Sequence, residues 1–218
     1  IFYWSSSLRN ASFAILRMLI QLMLIGYALE FIFNANNPWI ILAVLSFMLT
    51  AASWIALGAM PVERSTLLAY SLIAIAGGGI INLVLITQAV LHVSPWYQPA
   101  VMIPLAGMIF SNSMNSVSLA GERLYSELGH HNDYARARNT AFQAAMIPII
   151  NSLFAVGLVS LPGMMTGQIL AGTSPLIAAR YQIIVMCMIF SSAGISTAIF
   201  LWLIHGRSMR QTASSDVE

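Results

Sequence analysis

Residues 181–204 read YQIIVMCMIFSSAGISTAIFLWLI, an unbroken run without one charged side chain. A stretch of about 18 or more apolar residues is the mark of a bilayer-spanning helix, because in lipid every backbone N–H and C=O must find its partner within the segment. Five further apolar runs stand out, the first of them carrying Arg17 and Glu30: about Ala11–Phe33, Trp39–Met60, Leu67–Leu91, Ala100–Ala120 and Thr140–Ser160. None shows the alternation that a membrane β-barrel requires. The chain therefore reads as all-α, a polytopic membrane helical bundle with six visible spans.

Composition points the same way. Hydrophobic residues make up 59% and charged residues 7% of the chain, and the mean hydropathy is +0.82, values foreign to soluble globular domains. The 218 residues accommodate six or seven spans with short connections and no separate soluble domain. Residues 1–218 are read as a single transmembrane domain. The chain begins IFYW, inside apolar sequence and without Met, so a seventh, N-terminal span is expected upstream, missing or truncated here. No signal-peptide cleavage pattern is visible.

All nine basic residues are Arg. Without Lys there is no Walker A phosphate loop and no Schiff-base chemistry. The Arg residues flank apolar runs rather than forming a stripe, so the net charge of +2 does not point to nucleic acid. The single cysteine, Cys187, excludes an intrachain disulfide and reads as packing. His92 and His205 fall at opposite ends of spans and no HExxH motif occurs, so the chain reads as a non-enzyme without a cofactor of its own.

Threading the six runs across a bilayer places Arg9, Arg17, Arg64, Arg123, Arg136, Arg138, Arg207 and Arg210 on one side and only Arg180 on the other. By the positive-inside rule the Arg-rich side is cytoplasmic, and so is the C-terminus. NANNP (Asn34–Pro38), the loop with Trp96 and Tyr97, and LPGMMTGQILAGTSP (Leu161–Pro175) then face outward. The last is too apolar for an ordinary loop and too rich in Gly and Pro for an ordinary span. Its 15 residues cannot cross roughly 30 Å of hydrocarbon and return as helix. Residues 161–176 are expected to be re-entrant or interfacial, either a packed outer loop or the lining of an outer gate.

Polar groups inside spans either join helices or face a pathway. Gln21, Asn82, Asn112, Asn115 and Asn151 are of this kind, and Ser111–Ser116 (SNSMNS) is unusually polar for mid-membrane. The 13 Met residues serve as core filler or, at Met164 and Met165, as soft thioether ligands. Gly77-Gly78-Gly79 permits a close helix approach or a hinge. Residues 121–139 (GERLYSELGHHNDYARARN) form the one sizeable cytoplasmic surface, a solvated hairpin or a docking site for a soluble partner. His130 and His131, beside Asp133, are read as solvated loop.

Four stretches resemble the FetB-type permeases, the membrane subunits of two-component ABC transporters implicated in iron export, with plant relatives tied to aluminium tolerance. They are LRMLIQLMLIGYALEFIF (Leu16–Phe33), IPLAGMIFSNSM (Ile103–Met114), GLVSLPGMMTGQILAG (Gly157–Gly172) and SPLIAARYQI (Ser174–Ile183). The resemblance covers nearly the whole chain. It implies seven spans, a permease homodimer in the cell's inner (plasma) membrane, and an ATP-binding cassette partner at which ATP and Mg are bound and hydrolysed. One departure stands out: where relatives carry an Ala- and Glu-rich helix after ERLYSEL, this chain passes from Leu128 directly to Gly129-His130-His131.

On that basis Gln21, Asn112, Ser113, Met114, Asn115 and Asn151 are expected along the pathway. Gly163 and Gly167 are expected to form tight turns that let Met164, Met165 and Gln168 face its exit. Glu122, Arg123, Glu127, Arg136 and Arg138 are expected to dock the partner. Metal ligands are unassigned, since Glu30 is the one carboxylate at membrane depth and no acidic pair exists to hold a hard cation. The alternative reading is an ATP-independent secondary transporter or channel.

Overall fold

A computed structural model describes residues 8–34, 37–129 and 133–205. Seven α-helices follow one another: α1 (Leu8–Asn34), α2 (Pro38–Ala56), α3 (Arg64–Val84), α4 (Pro99–Leu128), α5 (Tyr134–Ala155), the short α6 (Gly163–Leu170) and α7 (Pro175–Leu203). A 3-10 turn, Leu57–Ala59, extends α2, and a π-helical turn, Leu85–Val90, extends α3. Among the described residues, five segments are long and apolar enough to cross a membrane: Ser12–Phe33, Pro38–Ala59, Arg64–Val90, Pro99–Leu128 and Pro175–Leu203. The molecule is a polytopic helical membrane protein. The segment upstream of residue 8, the His130–His131 pair and the C-terminal segment with Arg207 and Arg210 lie outside the described residues.

The helix starts are written locally. Asn37 caps α2 by accepting from the Trp39 N–H at 2.9 Å, and Pro38 occupies the first turn, where no N–H is needed. Asp133 caps α5 through the N–H groups of Ala135 and Arg136, at 3.0 and 3.4 Å. Ser174 precedes Pro175 at α7 and accepts from the Ile177 N–H at 3.4 Å.

Two expectations change in detail. The fifth run, Thr140–Ser160, stops being helical at Ala155, where Val156 turns extended (φ −61°, ψ 126°) ahead of Gly157. Shortened there and carrying Arg136 and Arg138 in its first turns, α5 is not among the five segments. The cytoplasmic loop expected at 121–139 is mostly helix as well, since α4 runs on to Leu128 and α5 begins at Tyr134.

The centre of the bundle is the crossing of α3, α4 and α7. Lipid tails give apolar helices no hydrophobic reason to associate, so close backbone packing and buried polar bonds must hold them. Gly78 supplies the close approach: a Cβ there would lie 2.7 Å from the Ser196 nitrogen and 2.9 Å from the Ser192 carbonyl. Next to it the Ser191 hydroxyl donates to Asn82 Oδ1 at 2.5 Å, and the Ser196 hydroxyl donates to Ser113 Oγ at 3.2 Å. The Ser71 hydroxyl, donating to the Ser53 carbonyl at 3.1 Å, ties α3 to α2. By contrast α1 lies outside this core, touching it near its end through Leu29 and Ile32.

At the end of the bundle that carries Arg64, Arg123, Arg136 and Arg138, the Tyr134 hydroxyl donates to the Leu201 carbonyl, and its ring packs on His205 with centroids 4.2 Å apart. Burial pushes the phenol up to about 12; Arg138 pulls it down and Tyr125 adds to the rise.

Two outcomes are expected. Gly78→Ala overpacks the crossing and costs about 1–3 kcal/mol, whereas Gly26→Ala, with open space around its Cβ, gains up to about 1 kcal/mol of helix propensity. Melting of the two variants in detergent should shift in opposite directions, and a Gly78→Ala protein melting at or above the wild type would refute the close approach. For Tyr134, a folded-state pKa above the ordinary 10.0 means that its contribution to stability is complete below pH 10 and is lost as pH rises toward 12. Ultraviolet titration should show one late-ionising tyrosine that Tyr134→Phe removes.

Candidate transport pathway

Opposite the Arg-bearing end, a cavity of about 380 Å³ opens between the π turn of α3, the following loop, the start of α4, α6 and α7. The π turn aims this loop: Leu91 N–H donates to the Ile86 carbonyl at 2.8 Å and Val93 N–H to the Thr87 carbonyl at 2.9 Å. Such widened turns recur at functional sites. His92 follows with φ 50°, an uncommon backbone state for a non-glycine residue. The polar lining comes from His92, Ser94, Gln98, Gln168 and Tyr181, and Met164 adds a thioether. Gln168 Oε1 is buried without a hydrogen-bond partner among the described residues.

The segment expected to be re-entrant is a two-turn helix, α6, held between tight turns. Gly157 (φ 81°) and Gly172 (φ 92°) make those turns. Gly163 and Gly167, which the sequence suggested for that role, lie inside α6 with nothing within 4 Å of a would-be Cβ. One turn apart, Met164 and Gln168 face the cavity together. Met165 faces the other way, into a second cleft of about 340 Å³ that it shares with Gln182, Met186 and Cys187.

A furrow runs along α5 and α7. Its upper part, about 660 Å³, is lined by Gln143, Met146 and Ser191 among apolar groups. Its lower part, about 440 Å³, shares Phe142 and Gln143 with the upper and opens beside Arg138, Asn139 and Trp202. The furrow thus runs from the Arg-bearing end toward α6.

The structure distributes the sequence candidates differently. Ser113 is buried and receives the Ser196 hydroxyl, so it joins helices. Asn112 Nδ2 donates at 2.8 Å to the Met108 carbonyl of its own helix. Met114 packs half-buried against the core, while Asn115 is exposed on α4. None of the four lines the cavities described above. Gln21 on α1 and Asn151 on α5 are likewise exposed.

The docking candidates do gather at one end, on helix surfaces rather than a loop. Glu122, Arg123, Arg136 and Arg138 are exposed, and Arg123 pairs with Glu127 at 2.5 Å. Sequence reading passed over Gln143, Gln182 and Ser191 as ordinary members of apolar runs. The helical spacing of Ser192 and Ser196 opposite Gly78 and Asn82 was the available signal for the crossing. Among the described residues no group of three His, Cys, Asp or Glu could hold a metal ion.

Comparison with known proteins supplies the kinship. The family described as "Uncharacterised protein family (UPF0014)" matches residues 6–138 and 128–209. A UPF0014 membrane protein of Synechocystis is 38% identical over 83% of this chain and 76% of its own length. The Escherichia coli protein named "Probable iron export permease protein FetB" is 35% identical over 87% of this chain and 77% of its own. The Arabidopsis thaliana "Protein ALUMINUM SENSITIVE 3" is 35% identical over 88% and 74%. No solved structure matches. With a family match along most of its length and such relatives, this helical membrane chain belongs to the UPF0014 family.

Proposed function

We propose that the chain is the permease subunit of an ABC transporter that exports iron, another metal or a metal chelate, energised by ATP hydrolysis at a separate partner subunit. The observation that carries this reading is the 35% identity, over 87% of the chain, with a protein whose name describes an iron export permease. The absence of Lys supports a separate energy source, because no phosphate loop can form here. In this reading the Arg-bearing end is cytoplasmic, and Arg123, Arg136 and Arg138 meet the ATPase. Two copies of the chain face each other to enclose the path, and the membrane is the cell's inner (plasma) membrane.

The donor chemistry suits passage rather than storage. The cavity beside α6 offers imidazole from His92, amide from Gln168 and thioether from Met164, with no carboxylate in its lining. Fe(II) prefers carboxylate and imidazole, so a single imidazole beside an amide and a thioether holds it weakly. Weak binding is what an exit requires, since a site that binds tightly does not release.

Co-reconstitution with the cognate ATP-binding subunit in liposomes should give ATP turnover that rises with the exported metal. Transport by the chain alone under an ion gradient, with no binding of that subunit, would replace this reading by a secondary transporter or channel. Arg136→Glu with Arg138→Glu should weaken co-purification of the ATPase by about tenfold, or 1.4 kcal/mol. Met164→Leu with Gln168→Leu should lower metal export by about tenfold while co-purification is retained.

A further inference from the structure

The cleft behind α6 holds four donor groups that the exit cavity does not use. Met165 enters it from α6, while Gln182 and Met186 enter from α7, one turn apart on the same helical face. Cys187 completes the lining and is exposed. The remaining walls include Leu153, Leu161 and Ile183, and no charged residue borders the space.

Gln182 is the informative member. Its side chain is 5% exposed, yet its Oε1 has no hydrogen-bond partner among the described residues. A buried carbonyl left unsatisfied is destabilising, so a ligand that accepts its lone pair would recover that loss. Beside it stand two thioethers and a thiol. Soft sulfur donors select soft cations such as Cu(I), and a neutral amide oxygen is a known weak additional ligand in copper sites. Thioethers need no deprotonation, so they bind where a hard, strongly hydrated cation would find no carboxylate to replace its water.

We infer that this cleft is a binding site for a soft monovalent cation, Cu(I) or Ag(I), held by Met165 and Met186 sulfur with Gln182 Oε1 and with Cys187 at the rim. The site is separate from the Met164–Gln168 cavity and stands independently of the transport reading, because it is measured on the isolated chain.

The test is anaerobic Cu(I) competition between the detergent-purified full chain and a chromophoric Cu(I) chelator. The wild type should withdraw one Cu(I) per chain, and X-ray absorption should show sulfur neighbours around the copper. Met165→Leu with Met186→Leu conserves side-chain volume and should weaken binding by at least about tenfold. Met23→Leu, exposed on α1 and outside both cavities, should bind as the wild type does. Gln182→Leu should weaken Cu(I) binding while raising the melting temperature of the metal-free chain, a pairing that a merely structural glutamine would not produce. A fully folded Met165→Leu, Met186→Leu protein with wild-type affinity, or an equal loss in Met23→Leu, would overturn the site; so would Gln182→Leu binding like the wild type, for the oxygen's part in it.

Discussion

The backbone approach of α3 and α7 at Gly78 is the constraint on which the bundle turns. Helices in lipid gain little by hiding apolar side chains from one another, so they associate where small residues let backbones meet and polar groups bond. A Cβ at Gly78 would strike the Ser196 nitrogen and the Ser192 carbonyl, and only because that space is empty can Ser196 reach Ser113 on α4 and Ser191 reach Asn82 on α3. These bonds fix the rotation of α7. Since α7 also packs against α5 and α6, its rotation sets which residues enter the furrow and the cleft behind α6.

Polar residues within the apolar runs therefore divide into two populations. Asn82, Ser113, Ser191 and Ser196 are bonded across helices, and Asn112 to its own backbone. Gln168 and Gln182 border open space with a carbonyl unsatisfied among the described residues. The first population supplies rigidity. The second leaves neutral acceptor atoms facing open space.

Much of the fold was legible because its determinants are local. A spanning helix satisfies its backbone within one run of residues, so the runs of α2, α3, α4 and α7 stand out by hydropathy alone. Their starts follow from Asn37-Pro38 and Ser174-Pro175, where a capping side chain precedes a residue that needs no N–H. The segment around LPGMMTGQ was harder to read. Gly163 and Gly167 suggested turns, but glycine permits a turn without requiring one, and the positive-φ positions proved to be Gly157 and Gly172 on either side of a short helix. The SNSMNS cluster divides for a related reason: adjacent residues on a helix point about 100° apart, so Ser113 and Asn115 lie in different surroundings.

By itself, the sequence determined that this chain is a multi-pass helical membrane protein without Lys and without a phosphate loop, because hydropathy, residue inventory and capping act at short range. It also carried the resemblance to the FetB-type permeases in contiguous motifs. Only the tertiary structure decided that Met164 and Met165 line two different cavities, that Gln182 meets Met165 in one cleft, and that Ser113 belongs to a helix crossing. Each of these depends on the rotation of one helix against another, which is set by contacts between residues as distant in sequence as Gly78 and Ser196.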